Sequence, residues 1–152
     1  MSDLGHPLPL PTASDEALAR LQRRRSAPAQ ALTFPGPSPD QLEVMLATAA
    51  RTPDHGKLFP WRFVIIEGPA KSALVHALKP LAEDQSEPVK AATVLAKLAN
   101  PPVTVMVVSS PVADHKVPVW EQQLSAGAVC MNLEHAADAM GFSASWITDW
   151  YA

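Results

Sequence analysis

The sequence predicts an α+β domain, and three observations carry the prediction. Two short runs, Trp61 to Glu67 (WRFVIIE) and Val103 to Ser109 (VTVMVVS), have the aromatic and β-branched content of strands. Around them, apolar residues recur at helical spacing in longer segments that end at proline or glycine. The resulting order, α-α-β-α-α-β-α-β, places two helices ahead of the first strand, which favours an α+β layer over a regular doubly wound sheet.

Residues 1–13 hold Pro7, Pro9 and Pro11 among small and polar residues and read as a flexible, proline-rich tail. A single domain is expected over 14–152. Its first helix starts near Ser14, with Leu18 and Leu21 on one face and Arg20, Arg23, Arg24 and Arg25 crowding its end, where cations suit the helix dipole. Pro28 limits its continuation. Residues 26–37 read as a loop. Ser38-Pro39-Asp40-Gln41 is a strong helix start, with a serine cap, proline at the first helical position and glutamine three after the cap. That helix ends by Thr52.

The strand 61–67 is followed at Gly68-Pro69 by a helix that Pro80 is expected to close. A polar connector leads to a short helix from Pro88 to about Leu98. The strand 103–109 is a continuous apolar run, as expected for burial on both faces. Residues 110–118 form a loop, and one long helix runs from about Val119 to Met140, with Gly141 as a left-handed cap. Its apolar residues cover more than one face, which suits a central helix or an oligomer seam. Phe142 to Thr148 reads as a third strand.

Composition narrows the function. With 47% hydrophobic and 18% charged residues, the 152-residue chain is not disordered. A net charge of −3 argues against a general nucleic-acid binder. The lone Cys130 excludes an intrachain disulfide framework and fits a reducing, cytoplasmic compartment; set among apolar residues, it reads as a packed thiol. No apolar run approaches membrane-spanning length, and the N-terminus has no signal-peptide pattern. The glycines form neither a dinucleotide fingerprint nor a P-loop, no hydrolase elbow occurs, and no metal-ligand spacing is present, so no metal is expected.

Four segments carry chemistry. Arg23-Arg24-Arg25-Ser26 crowds guanidiniums that repel one another and match a phosphate with forked donors. Arg51 to Trp61 is a proline-stiffened loop with cations at Arg51, His55 and Lys57 and a flat face at Trp61, suited to a planar anion. Asp114 to Glu121 runs into Ser125-Ala126-Gly127-Ala128, where small residues admit a backbone or a flat ring. Trp146-Ile147-Thr148 closes the last predicted strand. Each segment also has a plain structural explanation: a solvated helix end, a stiff turn, tight helix packing.

Together, RRS at 24–26, R-x-P-D-H at 51–55 with PWxF at 60–63, DHKVPVWEQQLSAGA at 114–128 and GF…W at 141–146 resemble the FMN-dependent nitroreductase family, in its small bacterial branch. The likeness covers about residues 14–150. It implies a nitroreductase-like fold, an antiparallel or mixed central sheet with helices on both faces, in an intertwined homodimer. The chain would lack the usual C-terminal helix and strand. The resemblance assigns Arg24, Arg25 and Ser26 to the FMN phosphate and ribityl chain, and Arg51 and His55 to contacts donated by the partner. It lays Trp146, Ile147 and Thr148 along the flavin. Glu121, Gln122, Gln123, Leu124, Ser125 and Ala126 are similar to a segment assigned to the nicotinamide cofactor.

The implied activity is ping-pong hydride transfer from NAD(P)H through FMN to a flat, electron-poor small molecule such as a nitroaromatic or a quinone. The flavin carries the chemistry, which accounts for the lack of a conspicuous catalytic acid or nucleophile. Two other readings stay open: a flavin-binding dimer without turnover, and an interaction domain with an arginine-rich anion patch.

Overall fold

The computed structural model describes residues 10–152. Most of the predicted proline-rich tail lies outside that range; residues 10–13 are exposed and without regular structure. The elements are α1 (Asp15–Arg23), α2 (Pro39–Ala49), β1 (Trp61–Glu67), α3 (Gly68–Glu83), α4 (Pro88–Val94), α5 (Ala96–Ala99), β2 (Val103–Ser109) and α6 (Val119–Ala139), with a short 3-10 turn at Ala29–Ala31.

The helix starts follow their local chemistry. Ser14 caps α1 by accepting from Ala17 N. At α2, Ser38 and Gln41 form the reciprocal box anticipated from their spacing: Gln41 N donates to Ser38 Oγ at 3.3 Å and Ser38 N to Gln41 Oε1 at 2.9 Å. Gly141, at φ +84°, follows α6 in the left-handed region as expected.

Strands β1 and β2 pair antiparallel from Trp61↔Ser109 to Glu67↔Val103. Trp61, Phe63 and Val107 share the face that packs against Ala49 of α2 and Ala126 and Val129 of α6. Thr104 lies on the opposite face, where Lys71 of α3 reaches it at 2.9 Å and also donates to Pro101 O. A second cluster joins Met45 of α2 to Ala136 and Ala137 of α6. Thus α6 supports the sheet through Ala126 and Val129, and α2 through Ala136 and Ala137.

Three expectations are corrected. Pro80 does not close α3, which continues to Glu83. The continuation buries Ala82 to 1% exposure, which offsets the hydrogen bond proline cannot donate. The predicted helix 88–98 is broken at Leu95 into α4 and α5, each turning a residue inward, Ala91 and Leu98. Residues 142–148 are not a strand, and among the described residues the sheet has two strands. Phe142 and Ala144 pack against the Met45–Ala136–Ala137 cluster instead, so burial on helices replaces a ladder with β2. Ala27 N bonds Ala144 O at 3.0 Å and ties this segment to the chain that leaves α1.

Among the described residues, no helix is long and apolar enough to cross a membrane.

Candidate functional site

The arginines at the end of α1 have unequal fates. Arg20 reaches across to α6, where it lies 3.7 Å from the Asp138 carboxylate while also pairing with Glu16. Arg24 Nη1 lies 2.9 Å from Glu134 Oε2. Arg25 stays exposed and donates to the carbonyls of Gln22 and Arg24, covering acceptors that the helix end leaves open. Ser26 is exposed beside it. Two arginines therefore dock α1 on α6, and Arg25 and Ser26 are left exposed.

The bond between Ala27 and Ala144 brings this corner to Trp146, Ile147 and Thr148, all three exposed. Trp146 lies over Gly127 of α6: a Cβ at Gly127 would come 3.6 Å from its ring. The small-residue stretch admits a flat ring, and that ring belongs to the chain itself. Arg24 to Ser26 and Trp146 to Thr148 thus form one group of neighbouring segments, joined through Ala27 and Ala144.

Arg51 and His55 belong to a second segment, the loop between α2 and β1. Thr52, next to Arg51, is buried and accepts from Asn132 of α6 at 2.8 Å. His55 Nδ1 is 2.8 Å from Glu121 Oε1 at the start of α6. Asp54 Oδ2 accepts from Phe59 N at 2.6 Å, closing a loop in which Gly56, Lys57 and Phe59 all have positive φ. Such backbone is costly away from glycine and persists because its surroundings enforce it.

The first group and this loop occupy different flanks of α6. Asn132 holds the His55 loop and Glu134 holds Arg24, and residues two apart on a helix point about 160° away from each other. Trp120 and Leu124 of α6 are strongly exposed.

The segment expected to meet a nicotinamide divides. Gln122 is 1% exposed and clamps the loop before α6: its Oε1 accepts from Val112 N, and its Nε2 donates to Val112 O and Val117 O. Ala126 is buried against Trp61. Both side chains occupy core positions. Glu121 is engaged by His55, Ser125 is half-buried, and Gln123 and Leu124 face outward.

Cys130 is half-buried, and burial pushes its thiol up, as suits a packed rather than a reactive thiol. Among the described residues no cluster of His, Cys, Asp or Glu is arranged to hold a metal. A cavity of about 820 Å³ runs along β2 and residues 143–148. It takes in Trp146, Ile147 and Thr148 but not Arg24, Arg25, Ser26, Arg51 or His55, so it adjoins the first group rather than containing it.

Sequence reasoning missed Glu134 and the role of Gln122. The signal for Glu134 was a carboxylate inside an otherwise buried stretch, next to Leu133, Ala136 and Ala137.

Comparison with known proteins adds the following. A sequence model of the "Nitroreductase family" matches residues 21–152. A candidate NAD(P)H nitroreductase named YdjA from Escherichia coli (strain K12) is 36% identical over 135 residues, which is 86% of this chain and 71% of that protein. Among solved structures, a nitroreductase-like family protein from Bacillus cereus superposes with a TM-score of 0.75 at 20% identity, covering 92% of this chain and 73% of the other. A nitroreductase with bound FMN from Desulfitobacterium hafniense DCB-2 gives a TM-score of 0.64 at 15% identity, covering 85% and 68%. The structural likenesses establish the fold.

Proposed function

The chain belongs to the nitroreductase family, and on that premise we propose that it is an FMN-dependent NAD(P)H oxidoreductase acting as a homodimer. Its reaction is ping-pong: hydride from NAD(P)H, then electrons to a flat, electron-poor acceptor such as a nitroaromatic or quinone. The observation that carries this reading is the Ala27 N–Ala144 O bond, which joins the chain just after the exposed Arg25 and Ser26 to the segment that leads into the exposed Trp146. Those residues fit a planar ring that carries a phosphate, because guanidinium donors match phosphate geometry and the tryptophan edge borders the ring.

Bound FMN supplies the hydride and electron transfer, and the protein supplies position and electrostatics. Arg24, Arg25 and Ser26 hold the phosphate end. Trp146, Ile147 and Thr148 lie along the ring and keep water from one side. Arg51 and His55 reach the same cofactor from the partner subunit. This sharing is supported by their place on the far flank of α6, and by the uncovered Trp120 and Leu124, apolar residues suited to a partner surface. Gln123, Leu124 and Ser125 are the residues of the 121–126 segment left to meet a nicotinamide. The lone Cys130 suits work in a reducing, cytoplasmic compartment.

The test is reconstitution with excess FMN, desalting, and an absorbance spectrum. Retained flavin that bleaches with NADH or NADPH under anaerobic conditions and recovers with a quinone supports the reading. Retained flavin that neither nicotinamide bleaches points instead to a flavin-binding dimer without turnover. Loss of all flavin on desalting contradicts both.

A further inference from the structure

We propose that Glu134 is a positioning residue for the anion corner. Its carboxylate holds the Arg24 guanidinium by one edge, so that the remaining N–H donors face the phosphate of the bound cofactor. The proposal rests on the FMN reading above and adds to it a residue outside the expected binding set.

Three observations carry it. Glu134 is a carboxylate with 7% side-chain exposure, and its one ion-pair partner among the described residues is Arg24, whose side chain is 18% exposed. Burying such a pair costs more in lost hydration than a well-packed apolar pair would, so fold stability alone is a weak reason for its presence. Second, the contact is one-pronged: Oε2 meets Nη1, while Oε1 is enclosed without a hydrogen-bond partner. A pair built for stability would use the full fork. Third, Arg24 is the first residue after α1, at φ −55° and ψ 135°, where the backbone turns towards Ser26 and Ala27. With its neighbours Arg23 and Arg25 exposed, three adjacent cations would repel one another. Glu134 neutralises the middle one and fixes its plane before an anion arrives.

The role has a signature. It acts through phosphate, so it separates FMN from riboflavin, which has the same ring and ribityl chain without phosphate. In Glu134→Gln, the FMN dissociation constant, read by fluorescence quenching, should rise about tenfold while that of riboflavin changes less than about threefold. On an Arg24→Ala background the same substitution should add little, because the two residues act as one unit. Parallel weakening of both flavins, unchanged FMN binding or tighter FMN binding would each overturn the proposal. Should Glu134→Gln not fold, Arg24→Met/Glu134→Leu replaces the pair by apolar groups; it should fold and lose the preference for FMN over riboflavin, and a retained preference would overturn the proposal. A wild-type chain that binds neither flavin contradicts the FMN reading. Inorganic phosphate then serves as the probe: it should raise the melting temperature of wild type and not of Glu134→Gln, and an equal rise in both overturns the positioning role.

Discussion

Gly127 and Trp146 meet face to ring: a Cβ at Gly127 would sit 3.6 Å from the indole, which is ordinary van der Waals contact. Alanine therefore fits, and it removes the backbone freedom that glycine gives the unfolded chain. Gly127→Ala should stabilise the protein by about 0.5–1 kcal/mol in urea unfolding and leave flavin retention intact. Gly127→Leu should cost about 1–3 kcal/mol, displace Trp146 and lower flavin retention.

Arg25 is exposed at the corner, with its Nη1 on the carbonyls of Gln22 and Arg24. Arg25→Ala should weaken FMN about 10- to 100-fold, the span expected for losing a charge-assisted hydrogen bond, with a much smaller effect on riboflavin. Fluorescence titration of the two flavins checks it. Equal losses would place Arg25 at the ring rather than at the phosphate.

Lys71 is buried between Pro101 O and Thr104, and desolvation pulls its ammonium down from its ordinary value of 10.5 to about 8. A folded-state value below the unfolded one means that the unfolded chain holds the proton more firmly between those two pH values. Stability therefore rises with pH across that window, and the full penalty stands below it. Relative to Lys71→Met, the wild type should gain roughly 2 kcal/mol between about pH 8 and 10.5. Urea unfolding of both proteins across that range measures the difference, and cancels the contributions of Cys130 and Tyr151, which burial pushes up in both.

Ser38→Ala removes an acceptor for Gln41 N at the start of α2 and should cost about 1 kcal/mol in thermal or urea unfolding. Pro39 at the first turn and the apolar face of Met45 keep the helix in place, so flavin binding should not change.

The Ser38 box was legible because capping is a local matter, decided within four residues. The same holds for the bounds of β1 and β2 and for the Gly141 terminus of α6, but the expected burial of β2 on both faces does not follow, since every residue of Val103–Ser109 is half-buried or exposed. The errors share a cause of the opposite kind. Pro80 reads as a stop until the burial of Ala82 is known, and Phe142 to Thr148 reads as a strand until α2 and α6 claim Phe142 and Ala144. Both depend on tertiary neighbours that no window of sequence contains. The candidate site divides likewise. Arginines before a serine announce an anion corner, but their inequality is set by Glu134 and Asp138 more than a hundred positions away. Gln122 looked like a ligand contact, and its amide clamps Val112 and Val117.

The central claim is that one cofactor is held by the corner of one chain and the His55 loop of another. It is tested most directly by counting bound flavin in mixed dimers of Arg25→Ala with His55→Ala. Each parent dimer breaks both of its sites. In the mixed dimer a shared site leaves one pocket with Arg25 and His55 both intact, so flavin absorbance should return at one site per mixed dimer. If the mixed dimers stay as colourless as their parents, Arg25 and His55 do not serve one cofactor across two chains, and the account fails.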